Sequence, residues 1–497
     1  MIAARSFVLW SWWLVLAAVV VTIGSHSPLV VRAQTVATFE VFDNGASEGG
    51  VKVTLAESDF PNDDGAGELF AMQMSTKYVN VSKFGQEPGT VVATKAFRED
   101  GERIESFEQL LPDEGISERR VYLVAQGLEF VWPFVAPGHI QTVSPRALTS
   151  VDPERPVVIE SMSDSPRVFT IHNLFSEEES KALIDHNEAK LARSTVGNSK
   201  GGGEDGARQD SGRTSENAWD SRSPTAKKMI TRSFNLTGIE ENAGKVDGLQ
   251  VVRYTEGQFY NSHPDYFEKH VDPDFDFYPY SGGSNRFATV FMYINDVEEG
   301  GSTVFPKAGP SDNPTEPPPH ALAMFKKGSM EYNLLHKCHT QMAVEPKQGT
   351  AALFYSIKPD GQIDKASLHG ACPVIKGTKW GANIWIWNRQ RFGEIRTGDP
   401  RKLSVKNSLS EPVYITWEGR PNGILKAGES FALNSYEFHR FKARTESHGG
   451  PVVREFTVQT DPPAQSWEIL PERQLKGDIS NVPSQVKNSM AQAGSEL

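Results

Sequence analysis

Cysteine is scarce: Cys338 and Cys372 are the only two in 497 residues. That excludes a disulfide-rich scaffold and leaves room for one bridge. Positive charge is also short, with 51 Lys and Arg against 63 Asp and Glu, a net charge of -12. A general nucleic-acid binder needs a basic face, so no nucleic acid is expected as a partner. The chain ends Gly494-Ser495-Glu496-Leu497, which is not a standard Lys-Asp-Glu-Leu retention signal. Apolar material is ample: 38% of residues are hydrophobic and 10% aromatic. At roughly 100–200 residues per domain, this length accommodates two to four packed units.

The N-terminus carries targeting character. Arg5 precedes an uncharged apolar run from Phe7 to Ile23 that includes Trp10, Trp12 and Trp13. The run is slightly long for a signal-peptide core of about 7–15 residues and slightly short for a membrane span of about 20. Residues 1–33 are therefore read either as a signal peptide cleaved before Gln34 or as a signal anchor giving one membrane-spanning segment. Both readings place the remainder in the oxidising lumen of the endoplasmic reticulum and secretory pathway, where a disulfide persists. Two glycosylation sequons agree with that compartment, at Asn80-Val81-Ser82 and Asn235-Leu236-Thr237.

Residues 34–160 read as a β-rich accessory region. Thr38–Phe42, Val51–Leu55 and Arg120–Val124 alternate apolar and polar residues as half-buried strands do. Residues 161–392 mix helices and strands. A strand is expected at Val168–Ile171. Ser176-Glu177-Glu178-Glu179 then fits a capping box opening a helix to about Leu191. Ser223-Pro224 opens a second helix with proline in its first turn, and Gly201–Gly206 is a loop between the two. Strand-like runs follow at Leu249–Tyr254, Phe287–Ile294, Ala351–Ile357 and Ala382–Trp387. The pattern predicts an α+β unit built on a double-stranded β-helix, or jelly roll, with packed helices. Residues 400–470 read as a small β-sandwich, and residues 471–497 as a polar, disordered tail.

The chemistry starts at His263-Pro264-Asp265. Residues i and i+2 of an extended segment face one side, so imidazole and carboxylate converge on one metal ion. His369, in Ser367-Leu368-His369-Gly370, is the candidate third ligand. Two histidines and a carboxylate make the facial triad of non-haem iron oxygenases, with positions left open for substrate and O₂. Lys379, ten residues further on, supplies the cation that the distal carboxylate of a bound 2-oxoglutarate needs. Tyr254 offers that carboxylate a hydrogen bond.

These residues sit in a longer run of motifs. It comprises Gln250–Tyr254 with Gly257-Gln258-Phe259-Tyr260, then Ala288–Gly301, Leu353–Gly361 and Ser367–Trp380, with Arg213-Thr214-Ser215 upstream. In order and spacing this resembles the catalytic half of prolyl 4-hydroxylases, especially the plant and algal type. The resemblance implies a dioxygenase that hydroxylates peptidyl proline, procollagen-type, consuming O₂ and 2-oxoglutarate and releasing succinate and CO₂. It implies Fe(II) on His263, Asp265 and His369, with Lys379, Tyr254 and Thr303 on 2-oxoglutarate and Trp385 beside the metal centre. It further implies Tyr260 and Arg286 as contacts to a proline-rich protein substrate, a Cys338–Cys372 pair, and ascorbate as a cofactor. It leaves the oligomeric state unspecified. Arg286 could instead pair with an acidic residue of the insert Val271–Ser284, which departs from the family pattern and puts the substrate's identity in doubt. Hydroxylation of another residue or of a small molecule, and a silent module that binds proline-rich chains, stand as alternatives.

Two clusters admit other readings. His336-Lys337-Cys338-His339 with Cys372 could suggest zinc, but its spacing fits no usual arrangement, and a disulfide with two exposed histidines is favoured. Glu298-Glu299 reads as a solvated hairpin turn rather than an acid–base pair. In the last unit, Trp417-Glu418-Gly419 and Asn434-Ser435-Tyr436 with His439 and Phe441 resemble the von Hippel–Lindau β domain, which implies Ser435 and His439 as readers of hydroxyproline.

Overall fold

The protein was analysed as a computed structural model that describes residues 34–62, 64–113, 118–145, 148, 154–195, 210–268, 279, 283–390, 400–417, 420–436, 439–459 and 461–471. The targeting segment 1–33, the Gly201–Gly206 loop, most of the Val271–Ser284 insert and the tail from 472 lie outside the described residues. Among the described residues no helix is long and apolar enough to cross a membrane.

The first unit is a four-stranded sheet in the order Val51–Ala56, Val36–Asp43, Arg119–Ala125, Ala93–Arg98, with its two central strands parallel. The three strands expected here are present. A helix, Ala66–Lys77, is present too and was not expected. Its cap, Gly65, has no side chain with which to signal a helix start. Leu69 and Met72 lie exposed opposite the buried Phe70 and Met74, which blurs the apolar periodicity.

The second unit is built on a nine-stranded sheet. Its order is Ile140–Thr142, Val158–Ser163, Val168–His172, Thr350–Tyr355, Arg286–Tyr293, Lys379–Trp387, Val246–Tyr254, Glu216–Asp220, Ala192–Arg193. A short sheet accompanies it: Tyr260–His263, His369–Ala371, Thr303–Val304 and Ala343–Val344. One long and one short antiparallel sheet are consistent with a jelly roll. The sequence put Ile140–Thr142 and the start of Val158–Ser163 in the accessory region, but both strands pair into the nine-stranded sheet. Pairing of this kind is set by long-range register, which local alternation does not reveal.

Alternation along the long sheet separates two cores. Leu249, Val251, Val290, Met292, Ile384 and Ile386 face outward, into a core shared with helix Pro224–Thr237 and with the first unit. That junction is specific as well as apolar: the Trp132 indole donates to the Leu236 carbonyl at 2.7 Å, and Arg167 donates to the Trp132 carbonyl at 2.7 Å. Val252, Tyr254, Phe291, Tyr293 and Phe354 face the short sheet. The helices begin where their caps dictate. Ser176 accepts from the Glu179 N–H at 3.2 Å while Glu179 accepts from the Ser176 N–H at 3.1 Å. Ser223 caps the second helix with Pro224 in its first turn, and Gly238 closes it in the left-handed conformation at φ 65°. The first helix ends at Asn187 rather than near Leu191. There the fully buried Asn187 amide bonds the Leu183 carbonyl and Asp220, and a 3-10 turn follows.

The last unit has a core of its own, including Leu403, Val405, Ile415, Phe441 and Trp467. That core lies in a three-stranded and a four-stranded sheet.

Candidate active site

His263 ends one strand of the short sheet and His369 opens its neighbour. The antiparallel register sets the two residues directly opposite each other, with ring centroids 4.5 Å apart. Tyr260–His263 is an edge strand, so Pro264 deprives no ladder of a donor. Two residues on, Asp265 turns back between the rings: Oδ1 lies 3.7 Å from His263 Nε2 and Oδ2 3.5 Å from His369 Nε2. The three ligand atoms all lie within 4.8 Å of one another.

The surroundings fix each group's chemical state. His263 Nδ1 donates to the Asn261 carbonyl at 2.8 Å and His369 Nδ1 to the Ser367 carbonyl at 3.0 Å. A carbonyl can only accept, so each Nδ1 carries a proton and each Nε2 is turned inward. Burial pushes the His263 pKa down, and the neighbouring His369 pushes the same way. Burial alone would raise the Asp265 carboxyl, but His369, His263, Arg286 and a bond from Thr289 outweigh it and hold the group down. The Thr289 hydroxyl donates to Asp265 Oδ2 at 2.7 Å. Two imidazoles that turn Nε2 inward and one carboxylate form the donor set that a divalent transition metal takes. The rings are wedged from behind: Phe354 lies 4.4 Å from His369, and Tyr260 stacks on His263 at 3.6 Å under the Arg213 guanidinium.

Lys379 occupies the other end. It is fully buried, pairs in register with Tyr254, and sends its ammonium among the rings of Phe291, Tyr293 and Tyr254, at 4.8, 5.3 and 5.7 Å. Its one hydrogen bond within the described residues goes to the Gly301 carbonyl. Among those residues no carboxylate lies within ion-pair distance. Burial lowers its pKa to about 7. Beside it the Tyr293 hydroxyl donates to Thr303 Oγ1 at 2.8 Å. The inner-face aromatics Phe291, Tyr293, Phe305 and Phe354 connect this end to the triad.

The family model described as 2OG-Fe(II) oxygenase superfamily matches residues 249–387, a span that contains all four of these residues. Probable prolyl 4-hydroxylase 3 of Arabidopsis thaliana is 37% identical over 230 residues, covering 46% of this chain and 71% of the relative. Probable prolyl 4-hydroxylase 10 of the same plant is 37% identical over 235 residues, with the same shares. Prolyl 4-hydroxylase 5, also from Arabidopsis, is 35% identical over 235 residues, covering 46% of this chain and 70% of its own. The chain belongs to the prolyl 4-hydroxylase family. The family uses Fe(II) and 2-oxoglutarate, and the donor chemistry at the two ends fits both.

Against the prolyl 4-hydroxylase pattern, the remaining candidates fall as follows. Tyr260 lies at the triad, and Thr303 and Tyr254 lie at Lys379. Trp385 lies beneath Arg286, 4.2 Å from the guanidinium, at the triad end. Arg286 pairs with Asp247: its Nε and Nη2 donate to Asp247 Oδ2 at 2.8 and 2.7 Å. Asp247 lies on the Val246–Tyr254 strand, across the intervening Lys379–Trp387 strand from Arg286, a proximity that only the folded sheet supplies. Cys338 and Cys372 form a disulfide that ties helix Met330–Thr340 to the segment just after His369. With both sulfurs bonded to each other, the zinc alternative has no thiolate. Asn80 is exposed. Asn235 lies within helix Pro224–Thr237, and its sequon partner Thr237 is fully buried and bonded to the Ser233 carbonyl. Glu298 and Glu299 pair outward with Lys376 and His320. In the last unit Ser435 Oγ lies 3.0 Å from His439 Nδ1, both side chains buried, with Trp417 against the His439 ring.

The sequence reading missed Thr289, Tyr293 and Asp247. The first two had a usable signal: Thr289, Phe291 and Tyr293 alternate along one strand, so all three share the inner face.

Proposed function

We propose that the protein hydroxylates carbon 4 of peptidyl proline, with His263, Asp265 and His369 holding Fe(II) and Lys379 holding the distal carboxylate of 2-oxoglutarate. The pairing of an inward-facing triad with a buried lysine that has no carboxylate within ion-pair distance among the described residues carries this reading. A cation enclosed by aromatic rings is costly unless an anion joins it, and a dicarboxylate anchored at the metal brings one.

When bound, the iron activates O₂ at the expense of 2-oxoglutarate, releasing succinate and CO₂. The chain supplies geometry. The two Nδ1–carbonyl bonds aim the imidazoles, and Thr289 holds the carboxylate. Thr303 and Tyr254 accompany Lys379 at the carboxylate, Phe305 and Phe354 exclude water, and Tyr260 with Arg286 orients the substrate. Ascorbate keeps the iron reduced, as in the family. The Cys338–Cys372 bridge and the exposed Asn80 sequon support a secretory-lumen setting, reached through the 1–33 signal or anchor.

The test uses the chain from Gln34 onward with Fe(II), 2-oxoglutarate, ascorbate and proline-rich peptides. Mass spectrometry should find one added oxygen on proline, absent with His369→Ala. Succinate without oxidised proline would redirect the reading to another residue or a small molecule. Neither product, from folded and iron-loaded protein, would leave a module that only binds proline-rich chains.

A further inference from the structure

The first unit lies outside residues 249–387, the span that the family model matches, yet it grips the segment that leads to His369. Between Tyr355 and His369 the chain makes a short hairpin. Ile357 bridges Ile363, and the Lys358 N–H donates to the Gln362 carbonyl at 2.7 Å. The tip of this hairpin, Pro359-Asp360-Gly361, lies against the first unit. Asn44, buried just past the strand Val36–Asp43, donates from Nδ2 to the Pro359 carbonyl at 3.0 Å and to the Glu129 carbonyl at 2.9 Å. Its Oδ1 accepts from the Val131 N–H at 3.0 Å. The Phe84 N–H donates to the Asp360 carbonyl at 2.9 Å. Gly45 lets the two backbones close up. It sits at φ 64°, and a Cβ there would lie 3.0 Å from Pro359 Cγ and 3.2 Å from the Val131 carbonyl oxygen.

The other end of the hairpin reaches the triad. Its return limb ends at Asp364, whose N–H donates to the Ser356 carbonyl at 2.8 Å. Asp364 Oδ1 accepts from the Ala366 N–H at 2.9 Å and so opens the 3-10 turn Lys365–Ser367. The Ser367 hydroxyl donates back to the Asp364 carbonyl at 2.8 Å. The Ser367 carbonyl then accepts from His369 Nδ1 at 3.0 Å. A ligating imidazole is aimed by the partner of its second nitrogen, and loss of such support costs about 10–100-fold in metal affinity. Here that partner is a backbone carbonyl, so the conformation of the turn sets the aim.

We infer that the first unit clamps the iron site, with Asn44 and Gly45 as positioning residues that hold the hairpin tip and, through Asp364 and the Ser367 carbonyl, orient His369. This rests on His369 being an iron ligand, as in the reading above. Asn44 suits the task because both of its N–H donors and its carbonyl oxygen are committed, which leaves the amide one orientation. The clamp acts on one ligand. His263 takes its aim from the Asn261 carbonyl, and Lys379 stands on a strand of the long sheet. Loosening the clamp should therefore weaken iron while leaving the 2-oxoglutarate end as it is.

The experiment uses the chain from Gln34 onward as wild type, Asn44→Ala, Gly45→Ala and Phe70→Leu. Gly45→Ala disturbs the tip without removing a hydrogen-bonding side chain, and it decides the matter should Asn44→Ala fail to fold. Phe70→Leu is the control: it loosens the core of the same unit, where Phe70 packs on Phe39 and Phe60 at 6.0 and 5.2 Å, and leaves the hairpin contacts in place. Each is measured for melting temperature, for hydrogen exchange over residues 357–369 in the metal-free protein, for Fe(II) Kd, and for the 2-oxoglutarate KM at saturating iron. Asn44→Ala and Gly45→Ala should exchange faster over 357–369 and bind Fe(II) roughly tenfold more weakly, with little change in that KM. Phe70→Leu should lower the melting temperature and keep wild-type exchange and Fe(II) affinity. Wild-type exchange and Fe(II) affinity in the folded clamp variants, or an equal loss of iron in Phe70→Leu, overturns the clamp while the triad stands. A wild type that binds no Fe(II) overturns the parent reading, and the clamp with it.

Discussion

The triad and Lys379 are both buried charged sites on the inner side of one sheet, but they are stabilised in opposite ways. At the triad the protein satisfies its own groups. Two backbone carbonyls fix the imidazoles, a hydroxyl fixes the carboxylate, and opposite charges offset burial. At Lys379 compensation is slight, one carbonyl, aromatic faces and Glu345 beyond ion-pair distance, and burial draws the ammonium's pKa down to about 7. The first arrangement suits a site that must have fixed geometry before its ligand arrives. The second suits a site whose ligand brings the missing charge.

Breaking either end should separate the two. His369→Ala removes a ligand atom, and the largest effect is expected here: loss of stoichiometric Fe(II) binding and a fall in turnover of more than about a thousandfold, checked by metal analysis and succinate assay. Lys379→Ala should leave Fe(II) binding intact and raise the KM for 2-oxoglutarate by roughly a hundredfold, the cost of losing a charge-assisted contact of about 2–3 kcal/mol. Lys379→Met should raise the melting temperature of the ligand-free protein, because it removes an uncompensated buried charge without opening a void. A lower melting temperature would contradict the comparison.

The pH response follows from the same asymmetry. Burial depresses the Lys379 pKa from 10.5 to about 7. A depressed lysine binds its proton less well folded than unfolded. Its destabilising effect is therefore full below about pH 7 and is relieved as pH rises toward 10.5. Binding of 2-oxoglutarate runs the other way. It needs the ammonium, so the KM should rise above pH 7, by at most about tenfold per unit. In Lys379→Arg the guanidinium stays charged, and the slope should flatten. A wild-type KM that is level from pH 7 to 9 would rule this out.

Smaller effects sharpen the contrast. Thr289→Val leaves Asp265 one bond short and should weaken Fe(II) roughly tenfold with little change in the 2-oxoglutarate KM. Tyr293→Phe frees Thr303 of its donor and should do the reverse, by about threefold.

What the sequence disclosed follows the same division. His263, Asp265, His369 and Lys379 were legible because ligand chemistry constrains residue type and spacing together. The capped helix starts were legible because caps are local. Asp247 was not, since its pairing with Arg286 reaches across an intervening strand and depends on the order of strands in the sheet. The helix Ala66–Lys77 was not, because it opens on a glycine and exposes Leu69 and Met72. The shared core of the first unit, built through Trp132 and Leu236, joins residues 104 positions apart, and no local pattern records it.

The most direct measurement is anaerobic calorimetry of Fe(II), then 2-oxoglutarate, on wild type, Lys379→Ala and His369→Ala. Wild type should bind one of each, Lys379→Ala should bind iron but 2-oxoglutarate roughly a hundredfold more weakly, and His369→Ala should bind neither. Full-affinity iron binding by His369→Ala, or 2-oxoglutarate binding undiminished in Lys379→Ala, would contradict the assignment of these two ends.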